Sequence, residues 1–110
     1  METYGDDEVW GALGDRTRRS IVMLLAEGPS AVGKLADALP VSRPAVSQHL
    51  KVLKDSGLVD EDADGTRRIY RLNEVGMLAL RDQLDTFWSR TLGNLRSAAE
   101  RPEETDDPDR

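Results

Sequence analysis

A chain of 110 residues, 38% hydrophobic and 33% charged, is long enough for one domain with a modest core. The absence of cysteine excludes disulfides, thiolate metal sites and thiol catalysis. No apolar run reaches membrane-spanning length and no basic-then-apolar leader is present, so the expectation is a soluble cytoplasmic protein with no membrane partner.

The net charge of −6 is unevenly spread. Residues 1–8 hold four acids and no base, and residues 102–110 hold five acids and one arginine, which leaves residues 9–101 at +2. The reading is an acidic disordered tail over 1–7, one domain over 8–101, and a second acidic disordered tail over 102–110.

In chain order, a short helix is expected from Glu8 to Leu13, ended by Gly14. Asp15 caps a second helix in which Ile21, Leu24 and Leu25 share a face, and Gly28-Pro29 stops it. Ser30 or Ala31 starts a third, Val32 to Leu39, with Leu35, Ala36 and Leu39 inward. Pro40-Val41-Ser42 leaves room only for a tight turn before the fourth helix. The pair has the outline of a helix-turn-helix.

In the fourth helix Ser42 is the cap and Pro44 falls in the first turn, where a missing N–H costs little. Val46, Leu50 and Leu53 recur at i, i+4 and i+7 on one face. Gln48 points nearly opposite, flanked by Pro44 and Lys51, with Arg43 and Ser47 towards one edge. Such a surface is able to meet base edges and phosphates. Taken alone, it is equally an ordinary solvated helix face.

Leu58 to Ala63 and Thr66 to Leu72 read as two strands joined at Asp64-Gly65. A hairpin directly after a helix-turn-helix is a wing, and its return strand carries Arg67, Arg68 and Arg71. Asn73 then caps a long helix running to about Glu100. Its apolar side includes Val75, Leu78, Leu84, Trp88, Leu92 and Leu95, broadened by Phe87. Some 26 residues at ~1.5 Å each give roughly 40 Å, more than a small core needs, so the stripe is expected to pair with its copy in a second subunit. Trp10 is placed in the same interface.

Assembled in this order, the sequence resembles an ArsR/SmtB-type winged-helix repressor. The resemblance is carried by Leu13-Gly14-Asp15-Arg16-Thr17-Arg18-Arg19-Ser20-Ile21, by the run from Leu35 through Ser42-Arg43-Pro44-Ala45-Val46-Ser47-Gln48-His49-Leu50 to Leu53, and by Gly57-Leu58-Val59 with Arg67 to Leu72. It implies a mainly α fold with a small β-hairpin wing, dimerised through the first and last helices. It implies recognition of an inverted repeat in double-stranded DNA, with release on a signal. The DNA-facing residues would be Ser42, Arg43, Pro44, Ser47, Gln48 and Lys51, with Arg67 and Arg68 from the wing. The homodimer interface would hold Trp10, Leu84, Phe87, Trp88, Leu92 and Leu95.

The family's metal sensors carry Cys-Val-Cys on the third helix, where this chain has Ala31-Val32-Gly33. On the last helix Asp82 and Asp85 stand without a histidine, and the single histidine, His49, reads as a partly buried helix residue near the DNA-facing edge. No metal or cofactor is expected, and the likeness is to the metal-independent, autorepressor-like branch. The wing departs from the usual pattern. Glu61, Asp62 and Asp64 crowd it, so Arg67 and Arg68 either reach the DNA backbone or are neutralised by those acids.

An enzyme is not expected: there is no cysteine nucleophile, the one histidine lies on a helix edge, and no Gly-rich phosphate loop is present. Arg18 and Arg19 read as surface charge near Asp15. Two other functions compete. One is a winged helix turned protein-interaction module, supported by the negative total charge and opposed by Arg43, Gln48 and Lys51 on the exposed face. The other is a repressor with a non-metal ligand pocket among Trp10, Phe87 and Trp88, against which stands their simpler role as dimer core. The sequence names no effector.

Overall fold

The computed structural model describes residues 4–100, with side chains from residue 9 onward. Its elements are α1 (Tyr4–Leu13), α2 (Arg16–Leu25), β1 (Ser30–Ala31), α3 (Val32–Asp37), α4 (Arg43–Asp55), β2 (Val59–Asp64), β3 (Arg67–Leu72) and α5 (Glu74–Ala99). The architecture is mainly α with an antiparallel wing, a winged helix-turn-helix. Two compact units divide between Ala79 and Leu80. The first holds every element up to the start of α5, and the second holds the rest of that helix.

The first unit is built around the faces that helical spacing predicts. Ile21, Val46, Leu50, Leu53 and Leu58 are fully buried, with Leu25, Leu35 and Val59 beside them in the core. Asp15 caps α2 by accepting the N–H of Arg18 at 3.0 Å, and Ser42 caps α4 by accepting that of Ala45 at 3.3 Å. Both satisfy backbone donors that a helix start leaves open.

The end of α4 is equally well defined. Gly57 adopts φ +86°. The Leu58 N–H donates to the Leu53 carbonyl and the Gly57 N–H to that of Lys54, each at 3.0 Å. This is a Schellman stop, and the buried Leu53 and Leu58 supply its apolar contact.

Three expectations are corrected. First, α1 begins at Tyr4, so part of the expected 1–7 lead-in is helical. Gly5 lies in the first turn, where its penalty is smaller than in a helix interior. Residues 1–3 and 101–110 lie outside the described residues. Second, Ser30 and Ala31 do not open a helix. They form β1, paired with Tyr70 and Ile69, so the sheet has three strands in the order β1-β3-β2. Two residues held by long-range backbone bonds leave no periodic signal. Third, α3 stops at Asp37, two residues early.

The hairpin pairs Asp64 with Arg67, which makes Gly65 and Thr66 the central turn residues. Gly65 has φ +66° and Thr66 does not have positive φ. That combination fits a II′ turn with glycine first. Asn73 joins hairpin to helix: its Oδ1 accepts the Gly76 N–H at 2.7 Å while its Nδ2 donates to the Asp60 carboxylate at 2.9 Å.

Candidate nucleic-acid interface

With Val46, Leu50 and Leu53 buried, the opposite side of α4 has to face outward. Ser42, Arg43, Pro44, Ser47, Gln48 and Lys51 are all exposed there. The face offers hydroxyls, an amide and cations, and its first carboxylate is Asp55 at the far end of the helix. Along its flank runs a groove between α4 and the hairpin. A cleft of about 670 Å³ at the start of α4 is lined by Lys34, Arg43, Ser47, Thr66, Arg67 and Arg68, among others. A smaller one of about 290 Å³ continues past Ser47 to Lys51, Lys54 and Glu61. Arg67 and Arg68 thus border the same cleft as Arg43 and Ser47.

The groove is polarised by ion pairs. Glu61, its side chain only 11% exposed, accepts from Lys54 Nζ at 2.8 Å and also from Arg68 Nη1. Arg67 pairs with Asp64 at 3.5 Å, and Arg71 with Asp62 and Asp60. Lys51 reaches Asp55 at 2.9 Å one helical turn on. The pairs at Lys51 and Arg67 are exposed and contribute little to stability. Their effect is on the potential a partner would meet.

His49 is part-buried, as expected. Arg18 Nη1 stands 3.2 Å from its Nδ1. A guanidinium only donates, so Nδ1 accepts and the ring proton sits on Nε2. The same guanidinium donates Nε to the Ala12 carbonyl at 2.7 Å and Nη2 to that of Gly11 at 3.4 Å. Arg18 is therefore not simple surface charge, as first read. It closes the end of α1 and fastens it to α4. A signal was present: Arg18, Ile21 and Leu25 share one helical face. Asp15 lies 4.0 Å from His49. The Arg18 N–H bond holds the Asp15 carboxyl below its ordinary range against some desolvation, and the charge of Arg18 lowers it further.

Trp10 on α1 is 44% exposed. On α5, Phe87, Trp88, Leu92 and Leu95 are 50%, 54%, 48% and 61% exposed, while Leu84 is intermediate. Phe87 and Trp88 meet edge to face with centroids 5.4 Å apart. Among the described residues no group of three metal-ligating side chains comes together, and no helix is long and apolar enough to cross a membrane.

A family model described as "Bacterial regulatory protein, arsR family" matches residues 15–61. The HTH-type transcriptional regulator Rv2034 of Mycobacterium tuberculosis is 60% identical over 93 residues, covering 84% of this chain and 87% of that protein. The ArsR-like transcriptional regulator from Rhodococcus sp. RHA1 matches with a TM-score of 0.68 at 30% identity, over 90% of this chain and 97% of that one. A homodimeric winged helix-turn-helix DNA-binding domain from Mycobacterium bovis, Mb0332, matches with a TM-score of 0.65 at 30% identity, over 77% and 79%.

Proposed function

The chain belongs to the ArsR family of bacterial regulatory proteins, and from that premise we propose that it is a dimeric repressor that binds an inverted-repeat operator without a metal. The observation that carries the reading is the uncovered polar face of α4, set outward by the buried Val46, Leu50 and Leu53. In this reading Ser47 and Gln48 meet base edges. Ser42, Arg43 and Pro44 set the helix start against the sugar-phosphate backbone, with Lys51 further along.

Dimerisation is supported by the exposed apolar side chains of α5 and by the homodimeric relative. Metal independence is supported by Ala31-Val32-Gly33 in place of a thiolate pair and by the absence of cysteine. The test is selection of bound duplexes from a random pool by the purified protein. The expected result is an inverted repeat with half-sites about one helical turn, ~34 Å, apart. No enrichment at low salt would favour a protein-interaction module instead.

A further inference from the structure

A phosphate is best held by a cation that has no carboxylate to give up. Along the groove between α4 and the hairpin, most cations do have one. Lys51 is on Asp55, Lys54 and Arg68 are on Glu61, and Arg67 is on Asp64. Of the cations that line the two clefts, Arg43 on α4 and Lys34 on α3 stand apart, with no carboxylate oxygen of the described residues within 4.0 Å. Both line the larger cleft, where Asp37 is the one acid.

Resting on the nucleic-acid reading above, we propose that this α3–α4 cleft, through Lys34 and Arg43, is where the chain holds a backbone phosphate of duplex DNA, and that the hairpin arginines do not. Arg43 is placed for it. A Cβ on Gly33 would lie 3.1 Å from Arg43 Nη2 and 3.2 Å from its Cζ. The guanidinium therefore rests against α3 at the one residue of that turn with no side chain in the way. Its fork suits a phosphodiester, and the hydroxyls of Ser47 and Thr66 on the same walls can donate to it.

The hairpin is in a different position. For Arg68 or Lys54 to bind DNA, a phosphate has to displace Glu61, a mostly buried carboxylate shared by two donors. One ion pair is exchanged for another, and the counterion release that drives such binding is forfeited.

The experiment is a salt titration of binding to a labelled random-sequence duplex, read by fluorescence anisotropy. The Lys34→Ala/Arg43→Ala double variant should flatten the log–log slope by roughly 0.9 per engaged subunit and weaken binding about equally on every sequence. Arg43→Lys, which keeps the charge, should retain the slope. Arg67→Ala and Arg68→Ala should leave it unchanged. In a Glu61→Gln background, where Arg68 is released, Arg68→Ala should flatten it. The assignment is overturned if the double variant keeps the wild-type slope, or if Arg67→Ala or Arg68→Ala flattens it with Glu61 intact. A wild-type chain that binds no duplex even at low salt overturns the DNA reading and this site together.

Discussion

Gln48 stands on the outward face of α4, opposite the buried Val46 and Leu50. A side-chain amide can pair with a base edge through a donor and an acceptor at once, which a phosphate contact cannot exploit. Gln48→Ala is therefore expected to cost roughly 1–3 kcal/mol at one base pair and to relax preference there alone. Competition assays with singly substituted operators check this, and an equal loss on all of them would mean a positioning role. Asp15 acts at the same scale but on stability. Its carboxyl sits below the ordinary range, chiefly through the Arg18 N–H bond. A depressed carboxyl contributes stability above its unfolded pKa and loses it as pH falls through the folded value. Below about pH 4, the cap of α2 therefore weakens as Asp15 takes up its proton. Asp15→Asn keeps a side chain able to cap and removes this titration. The fall of the thermal midpoint between neutral and acid pH should be shallower in the variant.

At the scale of elements, the junction between α4, the hairpin and α5 brings two backbones into close approach. A Cβ on Gly76 would lie 2.2 Å from the Gly57 carbonyl oxygen, a backbone atom that cannot swing aside. Gly57 is itself fixed by its positive φ and the Schellman bonds. Gly76→Ala is expected to cost roughly 1–3 kcal/mol, the usual range for overpacking. Urea unfolding should show a lower midpoint with an unchanged slope. The sequence gives little warning of Gly76, because close approach of two backbones far apart in the chain has no local pattern. The same holds for β1, while the inward placing of Arg18 was foreshadowed by the helical face it shares with Ile21 and Leu25. What was legible came from local chemistry: the caps at Asp15 and Ser42, the buried triplet of α4 and the glycine hairpin. The candidate face of α4 followed directly from that triplet. The hairpin acids were visible too, but their pairing register was not. Only the alignment of Glu61 with Tyr70 and Asp62 with Ile69 sets which arginine each one meets.

At the scale of the whole molecule, the proposed function has one α4 face read one half-site, and an inverted repeat needs two faces held at a fixed spacing. In the second unit Trp88, Leu92 and Leu95 recur at i, i+4 and i+7, and each is about half exposed or more. Covering such a stripe is favourable at ~25 cal/mol per Å² of apolar surface, and a second copy is the partner that also supplies the second reading face. Leu92→Glu places a charge in the middle of that stripe, where burial without a counterion is costly. The variant should sediment as a monomer at concentrations where the wild type is dimeric. Joining two reading faces typically raises affinity by roughly 10²–10⁴-fold over one. Loss of the pairing should therefore weaken full-operator binding by about 10²-fold, with affinity for an isolated half-site unchanged, since α4 is untouched. Equal losses on both duplexes would instead mean that Leu92 supports the fold of the reading unit. An unchanged full-site affinity in a monomeric variant would remove the dimer from the mechanism.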